Sequence, residues 1–204
     1  GDDDRGRLHA DALDRDGRKT VLLVTGDHGE QFGEHGRMLH ANTLYEPLLR
    51  VPFVLVGPGI PAGTTFEAPP QLEDVAPTLL SFADGSPLPS WRGRDLRKGA
   101  AGDRVQIAVR NREISLRRGD WKLLARFRGA GSPDTEVMPL ELYDLAADPG
   151  EIRNLIRRNP DKVQELSTQM QAVLKLAVAG ESAHLDAEEA AMLEELGYAV
   201  DEDR

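Results

Sequence analysis

One feature limits this chain's possible folds more than any other. The short, continuously apolar and β-branched run Thr20-Val-Leu-Leu-Val-Thr25 opens directly into Gly26-Asp-His-Gly-Glu-Gln-Phe-Gly-Glu-His-Gly36, a loop crowded with glycine and ligating side chains. An apolar run without polar alternation reads as a strand buried on both faces in a parallel sheet. A second such run, Pro52-Phe-Val-Leu-Val56, follows a candidate helical turn at Leu44–Leu49 and ends in the turn Gly57-Pro-Gly-Ile-Pro61. Helical spacing appears ahead of the first run, at Leu8–Leu13, closing near Gly17. It returns at Glu73–Ala83, with Val75, Leu79 and Phe82 on one side, Asp74 near the start and Asp84-Gly85 as the stop. Helix and strand therefore alternate, which predicts an α/β sheet flanked by helices.

Beyond the Pro-, Gly- and Arg-rich connection Ser86–Gly102 the pattern changes. Val105–Val109, Glu113–Arg117 and Trp121–Ala125 show partial alternation, and Arg118-Gly-Asp120 joins the last two, predicting an antiparallel meander with Leu140–Tyr143 as a further strand. Pro160–Val178 carries Val163, Leu166, Met170, Val173, Leu174 and Ala177 on one broad helical face, and Ala187–Leu196 reads as another helix. The expected organisation is an α/β part over residues 1–100 and a small antiparallel-sheet and helix part over residues 101–204.

Composition narrows the function classes. A formal charge of -10 argues against a nucleic-acid partner, which would favour a basic face. With no cysteine, disulfides, thiolate metal sites and cysteine nucleophiles are excluded within these residues. No apolar run approaches the roughly 18 to 20 residues needed to cross a bilayer. The chain starts with acidic residues and no methionine, so it reads as a fragment. Its start leaves cytoplasmic, periplasmic and secreted placement equally open.

The loop is where chemistry is expected. Ligands of α/β sheets bind outside the carboxyl ends of the strands, where Asp27 and His28 stand. Asp27 supplies a hard carboxylate and His28 an imidazole, and both are ligands for a divalent cation. Turn chemistry alone also explains an Asp-His-Gly after a strand. The HExxH zinc pattern is absent.

Longer blocks carry more. "TGDHGEQFGEHG", "HANTLYEPLLRVPFVLVGPGI", "QLEDVAPTLL", "WRGRDL", "ELYDLAADPGEIRNL" and the late "LEELGY", in this order and at these spacings, resemble the carboxyl-terminal portion of the sulfatase family, within the alkaline phosphatase superfamily. The resemblance implies part of an alkaline-phosphatase-like sheet followed by a small α+β subdomain with antiparallel strands. It implies that Asp27 and His28 help hold a divalent metal, calcium in the usual case, with manganese an alternative because of the imidazole. His40 falls where many relatives place a lysine that contacts the sulfate and the departing oxygen, so it is the catalytic candidate. His35 reads as a supporting residue, Glu46 and Arg50 as a helix-face ion pair, and Asp144 to Asn154 as a turn.

The family attacks sulfur with a hydrated formylglycine made from a C/S-x-P-x-R motif. No such motif occurs in this chain. Asp2-Asp3-Asp4 precedes a predicted helix and reads as a solvated cluster, not as the missing metal ligands. The implied protein is therefore a metal-dependent sulfatase-like hydrolase of sulfate esters whose formylglycine lies in an amino-terminal part outside the chain. The isolated fragment is expected to be inactive and to expose apolar sheet surface. Two alternatives stay open: a phosphodiesterase or phosphonate monoester hydrolase of the same superfamily, and a non-catalytic metal-binding derivative of the fold. The residues leave an oligomer open.

Overall fold

The computed structural model describes residues 20–40, 43–61, 63, 65–66, 69–98 and 104–176. The predicted helices Leu8–Leu13 and Ala187–Leu196 lie outside them, as do Asp2–Asp4, His9, His184 and the acidic tail. Residues Leu22–Thr25 form β1, Gln31–Phe32 β2, Met38–Leu39 β3, Glu46–Leu49 the one-turn helix α1, and Phe53–Val56 β4. Val75–Phe82 form α2 after a 3-10 turn. The strands Val105–Arg110, Glu113–Arg118, Trp121–Arg128 and Glu136–Asp144 are β5 to β8, and Pro160–Lys175 is α3.

The first two predicted strands are present, but they pair antiparallel with each other, Leu22 opposite Val56 and Thr25 opposite Phe53. This corrects the expectation of a parallel sheet covered on both faces. A parallel return requires a crossover, usually helical, that carries the chain over the sheet. Among the described residues, the segment joining β1 to β4 contains the β2–β3 hairpin with its 3-10 turn and the single turn of α1. Val24, Val54 and Val56 are exposed, in keeping with the apolar sheet surface expected of the isolated chain.

The α2 boundaries follow their sequence signals. Asp74 is fully buried, and its carboxylate accepts the backbone N–H groups of Gln71 at 2.9 Å and Arg94 at 2.7 Å and the Arg104 guanidinium at 2.6 Å. Asp84 adopts φ 55°, and Gly85 N–H closes on Leu80 O at 3.0 Å.

Strands β5 to β8 form one antiparallel meander in sequence order, as predicted, although β7 and β8 run longer than their apolar cores. Ile107, Leu116, Leu123 and Leu142 stand opposite one another across it. This row, with Ile114, Ala125 and Phe127, packs against Leu166, Met170 and Leu174 of α3. Each such side chain contributes about 2 kcal/mol when buried. Leu124 and Tyr143 project to the other face and meet Leu44, Leu145, Tyr45 and Leu49 beside α1. The sheet is thus covered by α3 on one side and by the α1 segment on the other, which ties the site loop to the sheet.

Candidate active site

The carboxyl end of β1 delivers Asp27 and His28 into the opening of a cleft of 1270 Å³, which is also lined by His40, Arg50, Gln106 and Arg117. Asp27 is largely exposed, and one of its oxygens, Oδ1, accepts the His28 backbone N–H at 2.9 Å. His28 Nδ1 lies 2.8 Å from Gly29 O. A carbonyl only accepts, so Nδ1 carries the proton and the lone pair of the neutral ring sits on Nε2. That Nε2 lies 3.9 Å from Asp27 Oδ2, leaving an oxygen and a nitrogen donor side by side.

His40 reaches the same place from the end of β3. Its ring centroid is 5.1 Å from that of His28, and its Nδ1 is 3.6 Å from Glu30 Oε2. The structure therefore brings together all three residues singled out in the sequence. Glu30 is a member that the sequence reading passed over. Its other oxygen, Oε1, is buried with no hydrogen-bond partner among the described residues. An unpaired buried carboxylate oxygen is costly and marks a place built for a donor or a cation. The signal available in the sequence was proximity, since Glu30 follows His28 by two positions.

Backbone and packing hold this loop. Gly29 N–H donates to Leu48 O at 2.9 Å, and a Cβ on Gly29 would lie 2.0 Å from Pro47 O, so only glycine fits against α1. His35, expected as a hydrogen-bonded supporting residue, stacks on Tyr45 at 3.7 Å. Glu46 does not serve the expected helix-face pair with Arg50: its carboxylate lies 2.8 Å from Lys122 Nζ and 3.3 Å from an Arg117 guanidinium nitrogen. Lys122 on β7 is buried and Arg117 on β6 is half-buried, so both are less hydrated than a surface arginine one turn away. Glu34 accepts the Phe32 N–H at 2.6 Å, and backbone hydrogen bonding holds its carboxyl below the usual range.

Asp27 and His28 suit a divalent cation. Ligand bonds of about 2.0–2.6 Å let one ion span donors separated by 3.9 Å, and the Nδ1–H bond to a backbone carbonyl is the usual way a ligating imidazole is oriented. Among the described residues no three His, Asp or Glu side chains are placed so as to hold one metal ion between them. Two donors are in place.

In sequence and fold the chain is similar to known proteins. The Sulfatase family's sequence model matches residues 7–86. Arylsulfatase K of Rattus norvegicus is 31% identical over 186 residues, covering 82% of this chain and 32% of that protein. Its Homo sapiens counterpart is 26% identical over 186 residues, covering 82% and 33%. The chain thus spans about a third of the length of the curated relatives it matches. Among solved structures, yidJ of Bacteroides fragilis, a candidate sulfatase, superposes with a TM-score of 0.60 at 23% identity, over 76% of this chain and 36% of that one. Ps i-CgsB in complex with k-i-k-neocarrahexaose superposes with a TM-score of 0.56 at 19% identity, over 80% and 39%.

Proposed function

We propose that the chain belongs to the sulfatase family of the alkaline phosphatase superfamily, a reading supported by the sequence match over residues 7–86 and the likeness to arylsulfatase K, and that it is the carboxyl-terminal part of a metal-dependent hydrolase of sulfate esters. The observation that carries this reading is the convergence of Asp27, His28 and His40 at one end of the cleft. Asp27 holds the cation through its carboxylate and His28 through Nε2. The bound cation, calcium or manganese, neutralises charge that develops on oxygen. His40 faces the transferring group as a hydrogen-bonding or cationic contact, with Glu30 behind its Nδ1. The remaining ligands and the formylglycine nucleophile belong to a part of the protein outside this chain, and the chain alone is inactive. The division into an α/β part before residue 100 and a meander-and-helix part after it is supported by the separate sheets on either side.

The test is hydrolysis of paired aryl sulfate, aryl phosphonate and phosphodiester substrates by the full-length protein and by its Asp27→Ala and His40→Ala variants. Sulfate turnover is expected to fall about a hundredfold or more in each variant, the scale on which removing one charge-stabilising contact acts. Faster phosphoryl turnover moves the protein to a phosphodiesterase or phosphonate hydrolase. No turnover of any ester, with cation binding intact, makes it a non-catalytic metal-binding derivative. Sulfate turnover that survives loss of Asp27 overturns the metal assignment.

A further inference from the structure

Lys122 sits inside the apolar strand core Trp121-Lys-Leu-Leu-Ala125, and its side chain is entirely removed from solvent. A buried ammonium has to be paired. Its Nζ lies 2.8 Å from Glu46 Oε1 and 2.7 Å from Glu151 Oε1, while Arg117 approaches the other Glu46 oxygen at 3.3 Å. Two cations thus meet two carboxylates. Glu151 Oε2 also accepts the Glu46 backbone N–H at 2.6 Å, a first-turn donor of α1 that no helix carbonyl can reach. To do this Glu151 holds φ at 54°, a left-handed conformation that residues with a Cβ rarely adopt.

Buried ion clusters seldom stabilise a fold more than apolar residues of the same shape would; they can instead specify one arrangement. Here the arrangement is the seat of α1, which in turn carries the site loop. Leu48 O of α1 takes the Gly29 N–H, and Gly29 O takes the His28 Nδ1–H. From the sheet to the imidazole, the path is one helical turn and two hydrogen bonds.

We propose that Lys122 and Glu151 are positioning residues for His28. By anchoring α1 to the sheet they hold Gly29 O where it keeps the proton on Nδ1 and leaves Nε2 free as a ligand. The tautomer stands on its own geometry; its use by a cation rests on the proposed function above.

Both can be read in the full-length protein carrying Lys122→Met with Glu151→Met, a pair that removes one charge of each sign and leaves Glu46 with Arg117. Histidine 15N spectra are expected to show the His28 signal moving from the Nδ1–H form to a mixture with Nε2–H. Mn²⁺ affinity measured by calorimetry is expected to fall tenfold or more. Glu151→Gln, which keeps an acceptor for the Glu46 N–H, should retain the original tautomer. Should the double variant lose its cooperative melt, Glu151→Ala leaves the Lys122–Glu46 pair in place and carries the same expectation at smaller amplitude. An unchanged His28 tautomer in a folded variant overturns the proposal. A tautomer shift in a protein whose wild type binds no Mn²⁺ supports the anchoring and counts against the cation reading alone.

Discussion

At the scale of single residues, Glu151 shows how position outweighs residue type. Burial pushes its carboxyl above the usual range, although Lys122 and the Glu46 N–H pull it down. A folded-state pKa above the unfolded one means stability that is present below the ordinary carboxylate value of about 4.3 and lost as pH rises through the raised value. The melting temperature of the wild type minus that of Glu151→Gln is therefore expected to shrink as pH climbs from about 4 through that window. A difference that grows instead would mean that Lys122's attraction outweighs desolvation. Tyr45, pushed to about 12 mainly by burial and then by its bond to Glu141, stays a donor throughout, and Tyr143 donates to the same oxygen. Asp27 and His28 stood out in sequence because their loop follows an apolar run directly, whereas His40 was singled out only through the resemblance to the sulfatase family. The roles of Lys122 and Glu151 were not legible, because their partners are set by folding: Lys122 on β7 meets Glu46 of α1, and Glu151 meets it from a distant turn.

At the scale of elements, periodicity succeeded where one partner face decided the pattern. Leu166, Met170 and Leu174 recur at helical spacing and are the residues α3 buries. Met170→Ala, at a site with no exposure, is expected to lower unfolding free energy by about 2–5 kcal/mol in denaturant titrations with an unchanged slope. The meander was equally readable, since tight turns such as Arg118-Gly-Asp120 leave little choice of partner. Strands β1 and β4 were recognised as strands, yet their relative direction was misjudged. An apolar run reports what a strand tolerates on its faces, and says nothing about which neighbour pairs with it.

At the scale of the whole molecule, stability is unevenly distributed. Strands β6 and β7 lie inside the meander and face α3, whereas β1 and β4 form a two-stranded ribbon with exposed valines. Isolated ribbons are marginal in water. Amide exchange of this chain is expected to leave Leu116 and Leu123 among the slowest sites, with Leu23 and Leu55 exchanging at least about a hundredfold sooner; equal protection would show that the ribbon and the meander unfold as one unit. By itself the sequence determined strands β1 and β4 to β8, helices α1 and α2, the antiparallel pairing of the meander and the helix that covers it, but not the β2–β3 hairpin. All of these depend on spacings of a few residues. Only the tertiary structure decided that β1 runs antiparallel to β4, that Glu30 completes the cluster around His40, and that a buried lysine on β7 seats the helix against which His28 is aligned. Those outcomes depend on which distant surfaces meet once backbone polar groups and buried charges must all find partners, and that competition leaves no local periodicity to read.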